Sequence, residues 1–228
     1  MDLYGATSRS VPQKLVIIAA ELALLAISWV ILFGPWGAAL AEWLRWPAVA
    51  DPTRRALVFA FNVVVFARMT FMMLFLLTRR IAIEETLTVP LAFATYYAGF
   101  AVMVLRDPSP PGATAWGGVL LFVIGSVLNS GAELQRHAWK RSPEHHGHLY
   151  TAGLFRWSRH VNYFGDVLWV TGYALVTGNP WAALVPVALF CFFAFYNAPN
   201  LDRYLARRYG AEFTSYARTT RMLVPGIF

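Results

Sequence analysis

The chain has 228 residues, of which 58% are hydrophobic, 16% aromatic and only 14% charged, with a mean hydropathy of +0.50. A soluble domain carries about 25% charged residues, so this composition points to an integral membrane protein and excludes collagen-like, coiled-coil and disulfide-framework classes. The net charge of +7 would suit nucleic acid in a soluble protein, but in a polytopic chain basic residues first mark topology, and no nucleic-acid partner is expected.

Four apolar runs reach the roughly 20 residues needed to cross a hydrocarbon core: residues 14–33, 55–77, 86–105 and 116–134. Residues 36–49 follow the first run, with Trp36, Trp43 and Trp46 beside Glu42 and Arg45, and read as an interfacial helix. Two shorter runs, 161–177 and 181–196, are separated only by Gly178-Asn179-Pro180, a turn that fits a helical hairpin. An amphipathic helix bearing Arg203, Arg207 and Arg208 comes next. The expected fold is therefore all-α, a polytopic membrane bundle of about six transmembrane helices with an interfacial helix and a C-terminal amphipathic helix. Fourteen Lys and Arg residues fall on the N-terminal side of that topology and four on the other, with Arg68 inside the second span. Both termini are accordingly expected in the cytosol, the first span acting as an uncleaved insertion signal.

Charged groups within a span are expensive and are functional candidates by default. Glu21 lies early in the first span, and Arg68 lies mid-way along the second, six residues after Asn62. Glu84 and Glu85, beside Arg79 and Arg80, read as a surface charge cluster. Asn129, Glu133, His137 and Lys140 recur at i, i+4, i+8 and i+11, so they form one polar stripe on a helix that is otherwise apolar. The run from Glu144 to His148 holds three histidines, but adjacent imidazoles point apart and nothing completes a tetrahedral set, so no metal is expected. Cys191, in an apolar run, reads as a small buried hydrophobe.

The densest polar stretch is Ser158-Arg159-His160-Val161-Asn162-Tyr163-Phe164-Gly165-Asp166. There Arg159 and His160 suit phosphates, Asn162 offers both donors and an acceptor, and Asp166 follows one turn later. Asn200, Asp202 and Tyr204 close the last span. Together these residues describe a cation-rich pocket at the cytosolic helix ends, opening onto a lipid-depth cavity. Such a pocket suits a soluble, anionic cofactor meeting a lipophilic substrate, and it would be built by helices, since no Rossmann fingerprint or P-loop is present.

Residues 118–228 resemble the C-terminal half of the steroid 5-alpha-reductases, through Asn129, Gly153-Leu154-Phe155, Asn162-Tyr163-Phe164-Gly165-Asp166, Gly172-Tyr173-Ala174-Leu175 and the final Ile227-Phe228. The stretch 159–166 also resembles the Arg-His-Pro-Asn-Tyr-Leu-Gly-Asp motif of sterol reductases, in a superfamily shared with isoprenylcysteine carboxyl methyltransferases. The resemblance implies a single catalytic domain over 1–228, with a divergent substrate-side part (1–112) and a cofactor-binding part (113–228). It implies NADPH-dependent reduction of an activated C=C bond in a steroid-like lipid, with no obligate protein partner. Asn129, Glu133, Lys140, Asn162, Asp166, Asn200 and Tyr204 fall on cofactor-contacting positions, with Arg68, His137, Arg159 and His160 beside them. Glu133 stands where those reductases usually carry Asp, and Asn200 where they carry His or Arg. The expected proton donor is Glu21, Tyr150 or Tyr216. The alternative implied by the same resemblance is an S-adenosylmethionine-dependent methyltransferase of the isoprenylcysteine type. Those enzymes usually carry Glu-Glu in the last helix, where this chain has Leu201-Asp202.

Overall fold

The structure, a computed structural model, describes residues 10–46 and 50–228, and every regular element among them is helical. The elements are α1 (Val11–Phe33), α2 (Pro35–Trp43), α3 (Pro52–Phe71), α4 (Glu85–Ala94), α5 (Phe100–Val104), α6 (Ala113–Lys140), α7 (Val161–Thr177), α8 (Leu184–Phe192), α9 (Ala198–Tyr209) and α10 (Ala211–Thr219). Short π-helical turns extend α3 (Met72–Leu76), join α4 to α5 (Thr95–Gly99) and join α8 to α9 (Phe193–Asn197). Five helical stretches among the described residues are long and apolar enough to span a membrane: Val11–Phe33, Pro52–Leu76, Glu85–Val104, Ala113–Lys140 and Pro180–Tyr209. The protein is thus a polytopic, all-helical integral membrane protein. The fifth run expected from the sequence, α7, has 17 residues and falls short of the roughly 20 a full crossing needs. The expected interfacial helix is α2, with Trp36 and Trp43 exposed; residues 47–49, which that expectation included, lie outside the described residues, as does the N-terminus whose side was expected to be cytosolic. Cys191 is exposed rather than buried, because it lies on the outward face of α8.

The chain forms two compact units. The first comprises Met1–Val119 and Gly172–Ala183, the second Leu120–Thr171 and Leu184–Phe228, so α6 and α7 each contribute one end to either unit.

In the first unit α1 buries Lys14, Ile17, Glu21, Ser28, Ile31 and Leu32, a heptad-like stripe that carries three polar residues inward. Lys14 Nζ donates to Leu77 O at 2.8 Å, and Asn62 on α3 donates to Ser28 Oγ (3.1 Å) and to Tyr97 O (3.3 Å). Asn62 Oδ1 in turn accepts from the Tyr173 hydroxyl at 2.8 Å, while the Tyr173 ring stacks on Phe100 with centroids 4.9 Å apart. With no water at this depth, this closed set of bonds is what lets so many polar groups be buried. Helix α3 starts cleanly because Asp51 accepts from the backbone N–H groups of Thr53 and Arg54, with Pro52 at its first position. The Arg79–Glu85 ion pair, expected as surface charge, is half-buried, and Glu85 also accepts from the Ala82 N–H in the turn before α4.

Arg54 is the principal clamp of the first unit. It is 6% exposed and donates to Val176 O and Ser109 O, both at 2.7 Å, while pairing with Asp107 at 3.2 Å. Burial alone would raise the Asp107 carboxyl, but two hydrogen bonds from Ser109 and the Arg54 charge outweigh it and hold the group below the usual range.

In the second unit α6 and α7 approach until no side chain fits between them. A Cβ on Gly125 would stand 2.4 Å from Trp169 N and 2.5 Å from Gly165 O; one on Gly165 would stand 2.6 Å from Asn129 N. Ala132, Phe155 and Val161 fill the adjoining core, and Phe193, Ala194 and Leu223 form another. The last residues are bound back across the start of α7: Arg159 N–H donates to Arg221 O, His160 N–H to Met222 O, and Ser158 Oγ to Leu223 O (2.8 Å).

Two outcomes test this account by thermal unfolding in detergent. Arg54→Ala should cost about 2 kcal/mol, because it leaves the half-buried Asp107 carboxylate and the carbonyls of Ser109 and Val176 without their donor. The stabilisation carried by Asp107 should be fully present above its unfolded pKa of about 4 and fade as pH falls through its lower folded value, a dependence absent from Asp107→Asn. Second, Gly165→Ala should lower stability by about 2 kcal/mol through overpacking, although alanine is the better helix former.

Candidate functional site

The polar stripe of α6 and the first turns of α7 meet in the second unit as a reciprocal ladder. Asn129 and Glu133 stand four residues apart on α6, and Asn162 and Asp166 stand four apart on α7, so each helix offers one carboxamide and one carboxylate on one face. The pairing crosses over: Asn129 Nδ2 donates to Asp166 Oδ1 at 2.8 Å, and Asn162 Nδ2 donates to Glu133 Oε1 at 2.9 Å. Asp166 Oδ1 also accepts from the Trp169 indole at 2.8 Å, and the Arg136 guanidinium closes on Glu133 Oε2. All four ladder residues were candidates from the sequence; their mutual pairing is what the structure adds.

Asp202 on α9 organises the neighbouring end of the unit. Its Oδ2 accepts from Arg159 Nη2 (2.8 Å) and Nε (3.2 Å), and its Oδ1 accepts from His160 Nε2 (2.8 Å). Arg159 extends further to the carbonyls of Ala217 and Thr220, which end α10. His160 is 2% exposed, and its ring stacks parallel to Tyr163, which stacks on Phe193 with centroids 4.5 Å apart. Arg159 and His160, read from the sequence as phosphate ligands, are therefore tied within the protein. Asp202 was noted in the sequence at the end of the last span and as a departure from a glutamate pair, without its partners Arg159 and His160.

The remaining candidates divide clearly. Asn200 Oδ1 accepts from Arg203, and the Tyr204 hydroxyl accepts from Arg208 at 2.7 Å. His137 is half-buried and Lys140 is exposed at the end of α6. Tyr150 packs between Trp139 and Phe155. The Tyr216 hydroxyl is buried and donates to Phe155 O, and burial pushes it well above the ordinary phenol range, so it is a neutral structural donor. The His145 ring lies 4.0 Å from Trp139, parallel to it, and hydrogen bonds Trp139 O through Nδ1, which gives it a packing role. Glu21 and Arg68 lie in the first unit, Glu21 fully buried and Arg68 half-buried on α3.

A family model described as a protein of unknown function, DUF1295, matches residues 30–220, most of the chain. The chain belongs to the DUF1295 family. That family sits in the membrane superfamily that contains the steroid 5-alpha-reductase-like and isoprenylcysteine methyltransferase-type proteins, as the resemblance implied. Among curated proteins, a probable O-methyltransferase of Ustilaginoidea virens is 34% identical over 93 residues, 40% of this chain and 32% of that one. Protein-S-isoprenylcysteine O-methyltransferase A of Arabidopsis thaliana is 27% identical over 114 residues, 47% of this chain and 57% of its own length. The chloroplastic 15-cis-zeta-carotene isomerase of the same plant is 36% identical over 76 residues, 33% of this chain and 20% of the isomerase. The chain thus spans less than two thirds of each of these relatives. The comparisons favour methyltransferases over the reductases expected first.

For this DUF1295 protein, Asp202→Ala should lower stability by about 3 kcal/mol, since it leaves Arg159 and the buried His160 without their carboxylate. Pairing it with Arg159→Met should recover part of that loss, a coupling that a double-mutant cycle of unfolding free energies reads directly.

Proposed function

We propose that the protein transfers a methyl group from S-adenosylmethionine to a lipophilic acceptor. The observation that carries this reading is the state of the charges at the ladder. Arg159, expected to meet a dinucleotide's phosphates, is paired with Asp202, and Arg136 on the same face of the unit is paired with Glu133. The ladder itself presents carboxylates and carboxamide oxygens. A polyanionic dinucleotide gains little from such a wall, whereas the ammonium and sulfonium of S-adenosylmethionine are complementary to it. The methyltransferase names of two relatives support the same choice.

When bound, the donor supplies an electrophilic methyl group. In this proposal Asp166, held in position by Asn129, attracts its cationic end, while Glu133, already paired with Arg136, holds Asn162 at a fixed position. The Asp202–Arg159–His160 cluster positions the first turn of α7, on which Asn162 stands. In this proposal the acceptor arrives from the lipid phase, in keeping with five helices among the described residues able to span it, and the donor from the cytosol.

Reduction by NADPH is the second reading. It is favoured by the Asn162-Tyr163-Phe164-Gly165-Asp166 sequence and by exposed Lys140 and Arg207, which offer cations to phosphates.

Calorimetry of the purified protein in mild detergent, with S-adenosylmethionine, NADPH and NADH side by side, separates the two. Micromolar binding of S-adenosylmethionine, weakened about tenfold in Glu133→Ala and in Asn162→Ala, is expected. Binding of NADPH without S-adenosylmethionine would overturn the methyltransferase reading and establish the second.

A further inference from the structure

In the second unit the residues just before α7 and those just after α10 are bonded side by side. Ser158 Oγ donates to Met222 O and Leu223 O, and the Arg159 and His160 N–H groups donate to Arg221 O and Met222 O. The chain then turns back, with Ile227 N–H donating to Val224 O. This pairing gathers exposed groups of two kinds. Trp157 is 59% and Ile227 78% exposed, and the Arg156 guanidinium lies 5.6 Å from the Trp157 ring centroid. Arg218, in the last turn of α10, and Arg221 are exposed as well, and among the described residues none of these three arginines is in an ion pair. From 203 to 228 the chain holds five arginines and one acidic residue, Glu212, which is itself engaged by His148 and the Leu149 N–H. The stretch Pro180–Tyr209, long and apolar enough to span a membrane, ends one residue before α10 begins. The patch therefore follows the end of a span, at the level where lipid headgroups lie.

We propose that Arg156, Trp157, Arg218, Arg221 and Ile227 form a docking surface for the headgroups of anionic phospholipids in the surrounding membrane. Unpaired guanidiniums bind phosphodiester oxygens through two parallel N–H groups, and basic residues beside the end of a span are drawn to anionic lipid. An exposed indole settles at the headgroup level, where its ring meets the upper acyl chains and its N–H stays wet. A zwitterionic lipid brings an ammonium beside its phosphate, which offsets the gain. An acidic protein segment would match the arginines but would offer no apolar layer to Trp157 and Ile227. The surface stands independently of the methyl-donor reading, because none of its five side chains belongs to the ladder or to the Asp202 cluster.

The test is thermal unfolding of the full chain in uncharged detergent, without methyl donor or dinucleotide, with dioleoyl phosphatidylglycerol or dioleoyl phosphatidylcholine added. Phosphatidylglycerol should raise the melting temperature by several degrees more than phosphatidylcholine, and the difference should fade at high salt. The difference should fall by at least half in Arg156→Gln/Arg221→Gln and persist in Arg80→Gln/Arg106→Gln, a charge-matched pair of exposed arginines from the first unit. In phosphatidylcholine the Arg156→Gln/Arg221→Gln protein should melt with the parent, since neither side chain is in an ion pair; a purely structural role would lower it. The proposal falls if the two lipids act equally or if the control pair loses as much as the patch pair. It falls too if inorganic phosphate or a polyglutamate peptide reproduces the gain, which would assign the patch to free phosphate or to an acidic protein segment.

Discussion

The second unit depends on how closely α6 and α7 come together. Gly125 and Gly165 remove two side chains from the contact, and only then do a carboxamide and a carboxylate on each helix reach their opposite numbers. Small residues at such contacts allow close backbone approach, which compensates for the weak hydrophobic drive between helices in lipid. Each hydrogen bond of the ladder uses a group that would be costly to leave bare in an apolar setting. The packing and the polar site are therefore one feature, and a change in the spacing of the glycines is a change in the site.

Charge arrangement follows from the same constraint. The second unit is rich in arginine, but its inward-facing guanidiniums are engaged: Arg136 with Glu133, and Arg159 with Asp202 and the end of α10. Arg207, Arg218 and Arg221 are exposed, away from the paired carboxylates and carboxamides of α6 and α7. A net charge of +7 over the chain thus coexists with a cluster of paired carboxylates and carboxamides between α6 and α7. Composition alone describes the surface and says little about that cluster.

Much of the fold was legible in the sequence, because a lipid environment leaves few options for an apolar run of 20 residues. The spans came from run length, α2 from its tryptophans, and the turn at Gly178 from three residues. The length of α7 shows the limit, since a 17-residue apolar helix reads as a short span by hydropathy. The ladder residues were visible as an i, i+4 stripe, but their cross-pairing depends on the register between helices, which no local pattern encodes. Arg159 looked like a phosphate ligand because its partner Asp202 lies 43 positions away.

Arg54 imposes an order on synthesis. Its guanidinium is made at the start of α3, yet one of its acceptors, Val176 O, is 122 positions later in the chain. The first unit is not contiguous, and Gly172–Ala183 must be made before it can close. Through the insertion of α4, α5 and α6 the nascent first unit therefore carries a polar group still waiting for its last bond. Such a state is one that membrane insertion machinery or neighbouring lipid headgroups would have to shelter, and it is relieved only when the end of α7 emerges.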